Sequence, residues 1–175
     1  LPPADRRPRV KSAPRGVGKG ARSRGPQSFQ KKRASRQPSS GWMAGLVFVV
    51  FLALYALTAQ RGVSWQDSGE FQCRALTGDY VWHSGLARAH PLYVAAARAF
   101  AELFPPGQRL FSVTAFSGLG MAVALSLLAA TVVRLTGRLR GAVVAVAALG
   151  LAHMAWWLAT VAEVYTWSLA FLMAE

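Results

Sequence analysis

The stretch that decides the fold is Trp42–Ala59, WMAGLVFVVFLALYALTA, eighteen residues without a charge. The uncharged window around it runs from Gln37 to Gln60. A helix rises 1.5 Å per residue, so about 20 apolar residues cross the hydrocarbon core of a bilayer. The spacing predicts a transmembrane helix over 42–60, with Trp42 and Tyr55 as interfacial anchors. A cleavable signal peptide is the competing reading. It fits less well, because the charged region before it is long and Leu57 and Ala59 are poor cleavage-site residues.

On the N-terminal side lies a different kind of chain. Residues 1–41 hold 12 of the 20 Lys and Arg and one acid, Asp5, for a net charge of +11. Six prolines, five glycines and few large apolar residues leave little to bury, so a disordered basic tail is expected. The whole chain carries +13 over 175 residues, but the remaining residues 42–175 carry only +2. That separation excludes a basic globular nucleic-acid-binding domain: the basic part cannot fold, and the folding part is not basic. The tail also lacks the interleaved aromatics of a single-strand-binding surface. An organelle transit peptide needs an amphipathic helix that these prolines and glycines would break. A cytoplasmic arm near anionic lipid is the remaining reading. The single cysteine, Cys73, excludes an internal disulfide framework.

On the C-terminal side two further uncharged runs follow, Ser112–Val133 and Gly141–Ala162, each of 22 residues. Within the first, Gly118, Ala122, Ser126 and Ala130 recur every fourth residue, a stripe that lets a neighbouring helix approach closely. Val164–Ala174 reads as the opening of a fourth span. The turn between the two runs, Arg134–Arg140, carries three arginines. Two spans separate it from the basic tail, so both fall on one side, the cytoplasmic one by the positive-inside rule. Loop 61–111 and Glu163 then face the other side. The expected architecture is all-α, a polytopic transmembrane helix bundle. Residues 42–175 form one membrane domain, and an interfacial helix over Pro91–Phe104 lies in its first extracytoplasmic loop. A bacterial inner membrane or its equivalent is the expected location. The chain begins at Leu1 and stops at Glu175 inside an apolar run, and the expectation is the first third or less of a longer protein, inactive by itself.

Four places carry chemistry. In Ser64-Trp-Gln-Asp-Ser-Gly-Glu-Phe-Gln-Cys-Arg74, a helix would put Asp67, Glu70 and Arg74 on one face. That could set a general base beside a phosphate-binding arginine. It could equally be a capping box (Ser64-x-x-Asp67 or Asp67-x-x-Glu70) followed by an ordinary Glu70–Arg74 pair. His90 precedes Pro91 and Tyr93 at the start of the loop helix, where a loop hydrogen bond competes with a substrate contact. Glu163, two residues before Tyr165, sits at a span boundary, either solvated or facing the bundle. His153 lies mid-span, where a bond to a neighbouring helix is expected. Three scattered histidines make no metal site by spacing, and one acid pair does not define a cation site. No metal or other cofactor is assigned.

The series WQDSGEFQ, AHPLYVAAARAF, RLFSVTAFSGL, RLTGR and ATVAEVYTWSLAFL resembles, in this order, the N-terminal part of the bacterial membrane family called domain of unknown function 2723. That family is similar to the eukaryotic protein O-mannosyltransferases and to the GT-C glycosyltransferases. The resemblance covers residues 63–175. Family members often have a longer proline- and glycine-containing stretch where this chain has His90-Pro91-Leu92-Tyr93. The resemblance implies a membrane glycosyltransferase. Its partners are a lipid-linked sugar donor in the membrane and an acceptor hydroxyl, on protein or glycan, outside the cytoplasm, with mannose the first candidate sugar. It implies Asp67 as the base near the acceptor and Glu70 as second choice. Arg74 and Arg88 are assigned to the departing phosphate, and His90, Tyr93, Glu163 and Tyr165 to the substrate pocket. A transporter or channel segment, drawing on His153 and the small-residue stripe, and a membrane-anchored scaffold are the competing readings.

Overall fold

The computed structural model describes residues 40–175 except Trp82, Ser84, Leu86 and Ala87. The basic tail up to residue 39 lies outside the described residues. Seven α-helices follow in order: α1 (Ser40–Thr58), α2 (Gln66–Thr77), α3 (Pro91–Ala101), α4 (Arg109–Thr136), α5 (Leu139–Gly150), α6 (His153–Thr160) and α7 (Tyr165–Ala174). A 3-10 turn over Pro106–Gln108 leads into α4. There is no strand among the described residues. Helix α1 and the helical stretch Pro106–Thr136 are each long and apolar enough to cross a membrane.

Helix α4 is the axis and touches every other helix among the described residues. Its small residues explain why. A methyl group on Gly118 would lie 3.1 Å from both the Ala159 carbonyl oxygen and Tyr55 Cβ, and Ala122 is fully buried one turn on. Gly118 and Ala122 of the small-residue stripe therefore form a helix-crossing surface, where close backbone approach takes the place of hydrophobic drive between helices. Met43, Val47, Phe51 and Tyr55 recur every fourth residue on α1 and pack on Met121, Leu125 and Ala129 of α4 and Val146 of α5. A second cluster joins α2, α3 and the start of α4 through Phe71, Ala75, Tyr93, Val94, Ala97 and Phe116. Helix α3 packs through Tyr93, Val94, Ala97 and Ala101 and leaves Leu92 77% exposed; it ends at Ala101 instead of reaching Phe104, and Leu103 beyond its end is 78% exposed.

The third uncharged run is not one straight span. Helices α5 and α6 meet at 67° across Leu151 and Ala152. Ala152 adopts extended geometry and begins a new helix. The break frees the Gly150 carbonyl, and the buried Tyr55 hydroxyl donates to it at 2.7 Å. Gly150 also has no room for a side chain, because a Cβ there would run into the Phe51 ring and sit 2.8 Å from Leu125 Cδ1. Two changes test the joint. Tyr55→Phe leaves a buried carbonyl without its donor, and Gly150→Ala overpacks the joint. Each should cost about 1–3 kcal/mol in thermal unfolding of the detergent-solubilised protein. His153, expected mid-span with a bond to a neighbouring helix, instead stands exposed at the start of α6 and makes no such bond among the described residues. The break turns it outward.

Candidate functional site

One end of the bundle gathers the segments between α1 and α4 and the link between α6 and α7. The Gln60 amide N–H donates to the Thr160 carbonyl at 2.9 Å, tying the exit of α1 to the exit of α6. Ser68 Oγ on α2 donates to Glu163 Oε1 at 2.8 Å. Ser117 on α4 holds the Glu163 backbone from both sides, accepting from its N–H at 2.8 Å and donating to its carbonyl at 3.0 Å. With its proton committed there, Ser117 Oγ accepts from the Tyr93 hydroxyl at 3.0 Å. Two helices, α2 and α4, thus clamp a single residue of the α6–α7 link, and Tyr93 on α3 holds the Ser117 hydroxyl that does so. The Arg134–Arg140 turn joins the far ends of α4 and α5.

Around this clamp lies a chamber of about 310 Å³. Asp67, Glu70, Arg88, His90, Glu163 and Tyr165 line it, with Phe71 and Val164. Six of the eight residues assigned to catalysis or substrate binding from the sequence meet there. The other two stand behind it. Tyr93 is buried, and burial together with the Glu163 charge raises its hydroxyl pKa, so it stays a donor to Ser117. Arg74 is fully buried. Its guanidinium contacts Glu70 Oε1 at 3.3 Å and donates to the backbone carbonyls of Asp79 (3.2 Å), Tyr80 (3.5 Å) and Ala89.

The side chains in the chamber differ in what is left free. Glu70 is held by Arg74. Asp67 is exposed, and its carboxylate accepts no hydrogen bond among the described residues. Arg88 is exposed with its guanidinium unpaired among the described residues. The capping boxes considered for α2 do not form: the N-cap is Trp65 without a side-chain bond, and Ser64 Oγ turns to Gln60 Oε1 at 3.2 Å instead. The Ser64 N–H goes to Gln72 Oε1 at 2.8 Å, and Gln72 Nε2 reaches Thr114 on α4 at 3.0 Å. A buried glutamine therefore seats the start of α2.

Two non-glycine residues have left-handed backbones among the described residues, Gln66 at φ 53° and His90 at φ 45°. Each opens a helix of the site, α2 or α3. Such geometry costs on the order of 1 kcal/mol or more and persists where the surroundings enforce it, commonly at functional sites. At His90 it faces the ring toward Phe71, with ring centroids 6.0 Å apart. A second, apolar cavity of about 480 Å³ begins at His90 and Val164, which it shares with the chamber. It continues over Leu92, Phe116, Trp167 and Phe171.

Burial raises the Glu163 pKa above the usual glutamate range and the nearby Asp67 charge adds to this, while the Ser68 hydrogen bond and His90 act against it. The folded state therefore holds this proton more tightly than the unfolded chain. The linked stability is present at acid pH and is lost as pH rises through the Glu163 pKa. Glu163→Gln should remove that slope, seen by comparing thermal unfolding of the two proteins from acid to neutral pH. An unchanged slope would show that other groups set it.

Ser68, Ser117, Trp65, Gln66 and Trp157 were not singled out from the sequence. Ser68 lies beside Asp67 and could have been found by that adjacency. Ser117 gives no local signal, since its role depends on the α6–α7 link meeting α4. No group of three or more His, Cys, Asp or Glu among the described residues is placed to hold a metal.

No family model matches the chain, so none shows the relation to domain of unknown function 2723 expected from the motifs. No solved structure matches it either. The chain is similar to the protein O-mannosyl-transferase TMEM260 of Mus musculus, at 32% identity over 120 residues. The match takes in 69% of this chain and 16% of that protein, so the chain spans about a sixth of its relative's length. An all-helical chain with helices able to cross a membrane thus has a mannosyltransferase-like relation.

Proposed function

We propose that this chain supplies the first part of a membrane glycosyltransferase that moves a sugar, mannose in the reading favoured here, from a polyprenyl-phosphate carrier to a hydroxyl on a protein. One observation carries the reading. A chamber lined by a carboxylate and a guanidinium, each unpaired among the described residues, opens beside an apolar cavity at His90 and Val164. A phosphate-linked lipid has the matching two parts, an anionic head and an apolar tail. The relative's name supports the sugar and the protein acceptor.

In this mechanism Arg88 and His90 face the donor phosphate, and the isoprenoid lies along Leu92, Phe116 and Phe171. The acceptor oxygen attacks the anomeric carbon and forms the new C–O bond. The bond from that carbon to the phosphate oxygen breaks, and its electron pair stays on the phosphate. The hydroxyl proton passes to the Asp67 carboxylate, which is free to accept it. Arg88 compensates the charge that develops on the leaving phosphate. Glu70 and Arg74 hold the loop that carries Arg88. The basic tail and the Arg134–Arg140 turn lie on the cytoplasmic side, and the chamber opens on the other.

The test is transfer of labelled mannose from dolichyl- or undecaprenyl-phosphate mannose to a threonine-containing peptide by the full-length protein in nanodiscs. Transfer is expected. Arg88→Ala should raise the donor KM about 10–100-fold, the equivalent of one charge-assisted contact. Labelled-solute uptake without transfer would favour the transporter reading.

A further inference from the structure

Tyr93 belongs to two places at once. Its side chain forms part of the wall of the apolar cavity, beside His90, Leu92, Phe116 and Trp167. It does not line the chamber that holds the acids. The ring packs at an angle on Phe71, with centroids 5.2 Å apart, and on Phe116, at 5.8 Å. The hydroxyl points inward and donates to the fully buried Ser117 at 3.0 Å.

Ser117 Oγ has no capacity left. A hydroxyl offers one proton and two lone pairs. The proton goes to the Glu163 carbonyl, and the lone pairs accept from the Glu163 N–H and from Tyr93. The Tyr93 bond therefore fixes how the Ser117 hydroxyl is turned. Without it the proton is free to swing to the Val113 carbonyl one turn back, the usual alternative for a serine inside a helix. Both bonds to the Glu163 backbone depend on that choice.

From Glu163 the connection continues to the base. Glu163 Oε1 accepts from Ser68, the residue after Asp67, and both carboxylates line the chamber. Asp67 is near enough for its charge to act on Glu163. Helix α7 has its own tie to α4, since Trp167 Nε1 donates to the Phe116 carbonyl at 3.0 Å. Ser117 is thus spent on placing Glu163, while α7 is docked by other contacts.

We propose that Tyr93 is a positioning residue that couples the apolar cavity to the acids. An isoprenoid tail in the cavity holds its ring against Phe71 and Phe116, and its hydroxyl, through Ser117, sets Glu163 beside Asp67. The inference rests on the transferase reading above and gives Tyr93 and Ser117 a part that reading does not use. The tail then contributes to turnover as well as to binding, as happens when binding energy from a remote part of a substrate is used at the reacting centre.

The test measures transfer to a threonine-containing peptide by the full-length protein in nanodiscs. Two donors carry the same head, undecaprenyl-phosphate mannose and the short-tailed citronellyl-phosphate mannose. At saturating donor the long tail should give a kcat about 3–10-fold higher, the worth of one neutral hydrogen bond. Tyr93→Phe keeps the ring and loses the hydroxyl. It should bring the long-tailed donor down to the kcat of the short-tailed one without raising the donor KM. Ser117→Ala should lower kcat at least as much, and adding Tyr93→Phe to it should lower kcat no further. If Ser117→Ala does not fold, the donor comparison in Tyr93→Phe still decides. A lowered unfolding temperature with kcat and the difference between donors preserved would mean a purely structural tyrosine and overturns the proposal. So does a raised donor KM with kcat unchanged, which would make Tyr93 a contact of the donor. A further loss when Tyr93→Phe is added to Ser117→Ala also overturns it. No transfer from either donor by the unsubstituted protein removes the transferase reading itself, and this role with it, so the two failures are distinct.

Discussion

Asp67→Asn should abolish sugar transfer by the full-length protein while leaving its insertion and fold unchanged. The expected loss is about 100- to 10,000-fold, the usual contribution of a positioned base. Asparagine has the same shape but cannot take the hydroxyl proton. Structural damage should be slight, because Asp67 is exposed and its carboxylate holds no other group among the described residues. Glu70→Gln makes the useful comparison. Glu70 is paired with the buried Arg74, so its replacement should loosen the loop and lower stability more than it lowers the turnover of folded protein. Initial rates at saturating donor, set beside thermal unfolding, separate the two effects. Full transfer by the Asp67→Asn protein would remove this residue from the mechanism.

That contrast shows what the sequence could and could not supply. A spacing of three and four residues put Asp67, Glu70 and Arg74 on one helical face, and the ion pair between the last two formed as i,i+4 spacing implies. Spacing could not tell which acid would be left free, because that depends on where the Asp79, Tyr80 and Ala89 carbonyls come to rest around Arg74. The spans were legible for a simpler reason. Apolar length is a local property, and α1 and α4 follow the uncharged runs within a few residues. The third run bends at Gly150 for a tertiary reason: Phe51 and Leu125 crowd the glycine, and Tyr55 satisfies the carbonyl that the break exposes. No hydropathy pattern records a hydroxyl 95 residues away. The meeting of Glu163 with the first loop followed from counting spans. Its clamp by Ser68 and Ser117 did not, since serines carry no periodic signal.

Arg74 and Arg88 looked equivalent by charge and by side of the membrane, and their replacement should have opposite consequences. Arg74→Met removes a guanidinium that is fully buried and engaged by one carboxylate and three backbone carbonyls. Leaving a buried carbonyl without its donor costs about 1–3 kcal/mol, while the Glu70 carboxylate, 29% exposed, regains water in place of its partner. Arg74→Lys should recover only part of that, since an ammonium keeps the charge but loses the planar fork that reaches several acceptors at once. Both variants should show faster hydrogen exchange around Asp79, Tyr80 and Ala89 and a lowered unfolding temperature. Arg88→Ala, at an exposed and unpaired side chain, should change stability by about 0.5 kcal/mol or less and weaken donor binding instead. The decisive comparison is unfolding temperature against undecaprenyl-phosphate affinity for the two single variants. If Arg74 held the donor phosphate, Arg74→Lys would keep normal stability and lose affinity. That result would reverse the two assignments, moving the phosphate contact from Arg88 to Arg74.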